Sequence, residues 1–304
     1  IGERKIDNMA DFIEQLKQRY KQGSVLTRFL FINIAAFVIL KVISVLFLLF
    51  SLNRFDLITF LGVPSGLQQL IHRFWTPFTY MFVHEQIWHL LFNMLWLYWF
   101  GKIFMQYFSG RILGSLYVLG GLGGALLYIV AFNTVPYFTS FERSWMIGAS
   151  ASVMAIVFGA AFYRPDVKLN LFLLGQIKIV YIAVAVFLID FLSLGNGVNE
   201  GGHVAHIGGA IIGYLFATQY IKGKDITRWA GRLIDRFVNL TKPHNKKKTK
   251  LNVKYKRAET DMEYNERKNE EQHDIDAILD KIKNSGYSNL TEEEKKKLFD
   301  ASKK

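Results

Sequence analysis

Met146-Ile147-Gly148-Ala149-Ser150-Ala151-Ser152-Val153-Met154 opens a long apolar run with a serine two residues after a glycine, among small neighbours. A hydroxyl adds nothing to apolar packing, so its presence there needs another reason. Two further polar sets stand at corresponding places in other apolar runs: His84, His89 and Asn93, then His203 and His206. Polar side chains inside apolar helices are expensive and tend to mark working sites. The reading of the whole chain turns on whether these three sets meet.

The chain has 304 residues, 51% of them hydrophobic, yet a formal charge of +12. Both hold because the two kinds of residue are segregated: 28–221 is membrane-like, whereas 222–304 is polar and Lys-rich. The absence of cysteine excludes disulfides, thiolate catalysis and Cys-ligated zinc. Residues 1–27 are charged and lack the apolar core of a signal peptide, so insertion is expected to rely on the first span. A Lys-rich tail beside a span reads as cytoplasmic and lipid-facing, and no nucleic-acid partner is called for.

Met9, Phe12, Ile13, Leu16 and Tyr20 recur at helical spacing and predict an amphipathic interfacial helix over 8–21. Six spans of roughly 20 apolar residues or somewhat fewer follow. They cover about 29–50, 83–103, 112–132, 147–163, 178–194 and 203–221. The connection from Leu57 to Phe82 is aromatic-rich and expected to lie half-embedded, and Leu169–Leu174 to be interfacial. Arg4, Lys5, Lys17, Arg19, Lys21, Arg28, Lys102, Arg111, Arg164 and Lys168 fall on the side of the termini. Only Arg54, Arg73 and Arg143 fall opposite. Both ends are therefore expected in the cytoplasm. Spans two, four and six then all begin at the outer face, which puts the three polar sets in one shallow layer.

Small residues suggest which spans touch. Ala205, Gly209, Gly213 and Ala217 form a stripe on span six. Ala151, Ala155 and Gly159 do so on span four, and Gly120 and Gly124 on span three. The Gly120–Gly124 cluster lacks the Lys-Ser/Thr of a phosphate loop and reads as helix packing. After span six, Ile226, Trp229, Ala230, Leu233, Phe237 and Leu240 predict a second interfacial helix, followed by a polybasic stretch from Lys242 to Arg257. Ile275, Ile278, Leu279 and Ile282, a turn at Ser285-Gly286, and the capping box Thr291-x-x-Glu294 predict two short closing helices. The organisation is thus 1–27 interfacial N-terminus, 28–221 membrane domain, 222–257 linker and 258–304 helical extension.

Taken singly, a serine in a span usually packs or bonds to its own backbone, and a histidine near a helix end usually serves structure. A Ser and a His at equal depth on two helices that start on the same side fit a nucleophile with its general base. His89 and Asn93, four apart on one helix face, supply donors for a developing oxyanion. Zinc is set aside: His84 and His89 are five apart, roughly 140° round a helix, whereas the zinc-protease motif needs four.

The combination His84-x4-His89-x3-Asn93, Gly148-Ala149-Ser150 and Ala205-His206-x2-Gly209-x3-Gly213 resembles the rhomboid intramembrane serine proteases over about residues 29–221. The resemblance implies an all-α six-helix bundle with a water-filled cavity open to the outside. Ser150 and His206 would be the catalytic dyad, and His89, Asn93 and the Ser150 N–H the oxyanion hole. His84, Gly148, Met154, Gly209 and Gly213 would support it. Span five with the 196–202 loop would be gate and cap. It also implies transmembrane substrates, a lipid setting and no cofactor. Three positions depart from the family pattern: Ala151 for glycine, Met154 for an aromatic, and Thr76 for the arginine after Trp75. The extension is similar to one on rhomboids of Bacteroidetes-like bacteria, so the expected setting is a bacterial inner membrane with the site near its outer face. The rival reading is a catalytically silent relative that binds transmembrane clients; a channel is disfavoured because no inverted repeat is evident.

Overall fold

The computed structural model describes residues 14–51, 56–141, 144–171, 175–241 and 261–302. Arg4, Lys5, Met9, Phe12, Ile13, Arg54, Arg143, Leu174, the 242–257 polybasic stretch and the side chains of Phe237 and Leu240 lie outside the described residues. The chain forms two compact units, 1–243 and 244–304.

In the first unit six apolar helices follow one another: α1 (Val25–Leu49), α2 (Ile87–Phe104), α3 (Gly110–Thr134), α4 (Ser150–Tyr163), α5 (Ile179–Ser193) and α6 (Glu200–Ile221). The 25, 25 and 22 residues of α1, α3 and α6 are long and apolar enough to cross a bilayer, which takes roughly 20. The other three are shorter, at 18, 14 and 15 residues. Ser24 and Ser109 cap α1 and α3, accepting from the Thr27 and Ile112 N–H groups, which satisfies orphan donors at those starts. Large apolar side chains point away from the bundle: Leu48 is 66% exposed on α1 and Leu192 74% on α5. A soluble protein would bury them, and hydrocarbon accepts them. The protein is an integral membrane protein.

The small-residue stripes meet as their spacing predicts. Cβ atoms built on Gly124 would come within 2.5 Å of the Ala151 Cβ and 2.9 Å of the Ala205 carbonyl oxygen. Gly120 and Gly213 face Ala155, and Gly209 faces the Ala151 backbone. Thus α3, α4 and α6 touch backbone to backbone, and the sequence's three neighbouring spans are neighbours in the fold. Around them Leu97, Phe104, Leu113, Leu116, Ile156 and Phe216 are almost fully buried.

Several boundaries differ from the expected ones. Helix α2 starts at Ile87, leaving His84 in the preceding loop rather than on the helix. Helix α4 starts at Ser150 rather than near Ile147, because Trp145–Met146 (β2) is extended and pairs antiparallel with Val63–Pro64 (β1). The interfacial stretch after α4 is a second ladder, Lys168–Leu171 (β3) against Gly175–Lys178 (β4); Leu169, Leu171 and Ile177 alternate with polar neighbours, the two-residue period of a strand. The bundle itself is helical, and the two short ladders lie in its connections.

The connection before α2 is folded. Trp75 Nε1 donates to the Phe60 carbonyl at 3.0 Å, Thr79 Oγ1 to Leu61 at 2.7 Å, and the Arg73 guanidinium to the Thr59 carbonyl. Arg73 also lies over the Trp145 ring, 5.0 Å from its centroid. Buried Thr76 instead bonds the Arg73 carbonyl at 2.8 Å. The guanidinium absent at position 76 is thus present three residues earlier. After α6, helix α7 (Arg228–Thr241) buries Ala230 and Gly231. It is tied to α3 by an Arg111–Asp235 ion pair of 2.6 Å.

The second unit pairs α8 (Asp261–Ser285) with α9 (Glu292–Ser302). Helix α8 begins well before Ile275: its first half is polar, with exposed pairs such as Arg267–Glu271 at 2.8 Å, the i,i+4 support such a helix needs. The capping box is formed, with Glu294 Oε2 accepting from Thr291 N–H at 2.7 Å and Thr291 Oγ1 from Glu294 N–H at 3.3 Å. Ile278 and Leu290 are buried between the helices.

Candidate active site

Ser150 is placed by what precedes it. The β1–β2 pairing fixes Met146, and the Gly148 N–H donates to the Tyr80 carbonyl at 2.9 Å. Tyr80 is itself anchored by its hydroxyl on the Gly121 carbonyl at 2.6 Å. Gly148 then turns the chain with φ +118°, a conformation that L-residues with a Cβ rarely adopt. A Cβ there would also stand 2.7 Å from His89 Cε1 and 2.8 Å from Nε2. Glycine is required twice over, for the turn and for the imidazole against it. The Ala149 N–H reaches His84 Nε2 at 3.4 Å, and the His84 and His89 rings meet edge to face at 5.1 Å.

Helix lengths set the depth. The C-terminal ends of α4 and α6 are level, with Tyr163 and Tyr220 rings 5.8 Å apart. Because α4 has 14 residues and α6 has 22, their starts differ by eight residues, about 12 Å at 1.5 Å per residue. Ser150 is therefore recessed below the start of α6 and lies beside its second and third turns. That is where His206 is found, one turn before Gly209, whose Cα packs on Ala151.

Ser150, His206, His89, Asn93 and Met154 line one cavity of about 270 Å³, with Trp96, Val153, Val186, Asp190 and Asn199 among its other walls. Asn93 is buried and gives one amide N–H to the His89 carbonyl at 2.8 Å, leaving its second N–H for another acceptor. The sequence-predicted residues thus fall into three places. Five line the cavity, His84 and Gly148 brace the turn beneath it, and Gly209 and Gly213 hold α6 on α4.

Two buried carboxylates, one in the cavity wall and one at the start of α6, were not singled out from the sequence. Asp190, on α5, is buried, and its Oδ1 is 2.8 Å from His203 Nδ1 and 2.9 Å from His206 Nδ1. It gives His203, without an assigned role in the sequence, a partner. Glu200, at the start of α6, is also buried and accepts from the N–H groups of Gly195 and Gly197 and from the Tyr137 hydroxyl, at 2.7–3.2 Å. It ties the α5–α6 loop to the α3–α4 connection. For Asp190, the lone acid in the fifth apolar run was the available signal. Asp190, His203 and His206 place ligand-type atoms within 4.8 Å of one another, a grouping among the described residues that does not involve His84 or His89.

Fold and cavity together define a polytopic helical membrane protein with serine, histidines and asparagine gathered in one recess among its helices. Residues 72–223, half of the chain, match the Rhomboid domain, and the chain belongs to the rhomboid family. Residues 258–304 match a family of unknown function (DUF6576). RHOMBOID-like protein 12, mitochondrial, of Arabidopsis thaliana is 29% identical over 191 residues, 58% of this chain and 53% of that protein. Rhomboid protease GlpG of Haemophilus influenzae is 28% identical over 165 residues, 51% and 79% of the two chains. Rhomboid protease AarA of Providencia stuartii is 29% identical over 151 residues, 46% and 54%. The chain spans about half the length of the first and third of these relatives and about four-fifths of the second.

Proposed function

We propose that this protein is an intramembrane serine endopeptidase that cleaves peptide bonds in or beside transmembrane helices of other membrane proteins. The observation that carries the reading is the shared cavity: Ser150, His206, His89 and Asn93, from α4, α6 and α2, line one recess. The two relatives named as rhomboid proteases support it.

In this mechanism Ser150 Oγ attacks the scissile carbonyl carbon while His206 Nε2 takes the hydroxyl proton. The carbonyl oxygen becomes an oxyanion that receives hydrogen bonds from His89, the second N–H of Asn93 and the Ser150 backbone N–H. Removal of one such donor typically lowers the rate by about 10²–10³-fold. The intermediate collapses as His206 returns the proton to the leaving amine, leaving an acyl-serine. Water then adds by the same route and releases the new carboxyl end. Met154 packs beside the dyad, and no cofactor takes part. Since a helical substrate hides its carbonyls in hydrogen bonds, cleavage favours segments with small or helix-breaking residues that unwind into the recess.

The charge distribution supports an arrangement of α1–α6 as six spans with both termini in the cytoplasm. The site then lies toward the outer face of a bacterial inner membrane, with 28–221 as the protease domain and 258–304 as an appended helical unit. The test is cleavage of a fluorescent transmembrane substrate by purified protein, alongside Ser150→Ala and His206→Ala. Activity lost in both folded variants is the expected result. Failure of the wild type to cleave, or to accept a fluorophosphonate probe at Ser150, favours the client-binding reading instead.

A further inference from the structure

We infer that Asp190 is a positioning residue that holds His206 in the tautomer and orientation needed to serve Ser150, with His203 holding Asp190 in turn. The inference rests on the protease reading above and adds a third member to its dyad, supplied by α5. An ionised carboxylate only accepts hydrogen bonds, so an imidazole nitrogen 2.9 Å from Asp190 Oδ1 carries the proton. Nδ1 of His206 is that nitrogen. Its Nε2 is then left with a free lone pair, as a base for the Ser150 hydroxyl requires. The carboxylate also stabilises the imidazolium that forms when the proton arrives.

His203 lies three residues before His206, on the same face of α6. It donates from Nδ1 to the same Asp190 oxygen at 2.8 Å, and its ring is 6.2 Å from that of His206, nearly perpendicular to it. Of the two histidines only His206 lines the cavity. The division of labour follows: His203 fixes the carboxylate, and the carboxylate fixes His206. A buried acid in an otherwise apolar helix needs such a reason to be there.

The same three groups are of metal-ligand type and lie within 4.8 Å of one another. Their spacing argues for direct hydrogen bonds: ligand atoms about 2.0–2.1 Å from a tetrahedral zinc stand roughly 3.3 Å apart, farther than the 2.8 and 2.9 Å found here. A metal on Nδ1 would also leave Nε2 of a neutral His206 protonated and unable to act as a base.

The test uses the full chain labelled with ¹⁵N-histidine in detergent, with the His206 signals assigned by loss in His206→Gln. The wild type is expected to show Nδ1–H with unprotonated Nε2. Asp190→Asn is expected to lose that preference, because the Asn amide can donate as well as accept, and to lower kcat by at least 30-fold with KM within threefold. The corresponding change in a fully buried triad is about 10⁴-fold. His203→Gln should lower kcat less, in the same direction. A role confined to bridging α5 and α6 leaves kcat intact in Asp190→Asn, since the Asn oxygen still accepts. Nε2–H in the wild type, or an unchanged tautomer and kcat within threefold in Asp190→Asn, overturns the inference. So does micromolar Zn²⁺ binding that Asp190→Asn abolishes, which would make the cluster a metal centre. The tautomer is read without substrate. A wild type that shows Nδ1–H, loses it in Asp190→Asn, yet never cleaves would sink the protease reading and leave this hydrogen-bond assignment standing.

Discussion

Gly209→Ala tests the packing that sets the geometry of the site. A Cβ at Gly209 would run into the Ala151 carbonyl oxygen and lie 2.8 Å from its carbon and 3.0 Å from the Ala151 Cα. Ordinary contacts are about 3.5–4.0 Å, and every opposing atom is backbone, so no side chain can rotate away. Helices α4 and α6 must part by about 1 Å at this level. Ser150 adjoins Ala151, and His206 is one turn before Gly209, so the separation falls between the proposed nucleophile and base. Overpacking of this kind destabilises by about 1–3 kcal/mol, whereas a 1 Å misplacement of reacting groups can lower the rate about 10²-fold. The variant should therefore fold and melt somewhat early, with kcat/KM for a transmembrane substrate down about 10²-fold. Gly114→Ala is the control: its Cβ would meet the Phe29 ring at 3.4 Å and a Val25 methyl at 3.7 Å, both side-chain atoms near ordinary contact distance, and alanine gains up to about 1 kcal/mol of helix propensity there. Cleavage by Gly209→Ala within threefold of wild type, at an unchanged melting temperature, would refute the claim that this contact sets the distance between α4 and α6.

Gly148→Ala should abolish measurable cleavage while leaving the chain folded, because a non-glycine residue at φ +118° stores about 1–3 kcal/mol and its Cβ displaces the His89 ring; activity and thermal unfolding measured side by side check it. In the second unit, the hydrogen bond from the Lys281 ammonium and that from the Thr291 N–H hold the Glu294 carboxyl down at about 2. A depressed carboxyl stabilises the folded form fully above its unfolded value near 4.5, and that contribution is lost as pH falls toward 2. Hydrogen-exchange protection of α9 in the full chain, corrected for intrinsic rates, should fall between pH 5 and pH 2. In Glu294→Gln it should be lower at pH 6 and flatter across that range; identical profiles in the two proteins would discount the capping box.

What the sequence disclosed was whatever repeats with a helical period. The stripes at 120/124, 151/155 and 205/209/213 identify the touching faces because close backbone approach demands small residues at every turn. The Thr291–Glu294 box is equally local, its two partners three residues apart. The features that were missed are long-range or aperiodic. A two-residue ladder between Val63–Pro64 and Trp145–Met146 has no period to detect, yet it moves the start of α4 from Ile147 to Ser150. His84 reads as helical because apolar residues surround it, although its imidazole accepts from the Ala149 N–H, 65 residues along the chain. Asp190 was visible as an anomaly, one acid in a greasy run. Its partners lie 13 and 16 residues away across a loop, and no spacing rule joins them.

The helix starts explain why the polar groups gather where they do. Side-chain caps close α1 and α3, but none closes α2, α4, α5 or α6, and His89, Ser150 and Asn199, at three of those four starts, line the cavity. The first N–H groups of a helix have no carbonyl partner within it, and each helix start carries roughly half a positive charge. The starts of α2 and α4 favour an anion beside Ser150, which suits the oxyanion of the proposed reaction, whereas the start of α6 stands about 12 Å above Ser150, too far for its end charge to act there. In the proposed reaction His206 carries the opposite charge, and Asp190 faces it from the Nδ1 side of the ring. In the proposed reaction the helix ends and the carboxylate stabilise opposite charges within one site, and α5, which carries neither Ser150 nor His206, supplies the carboxylate.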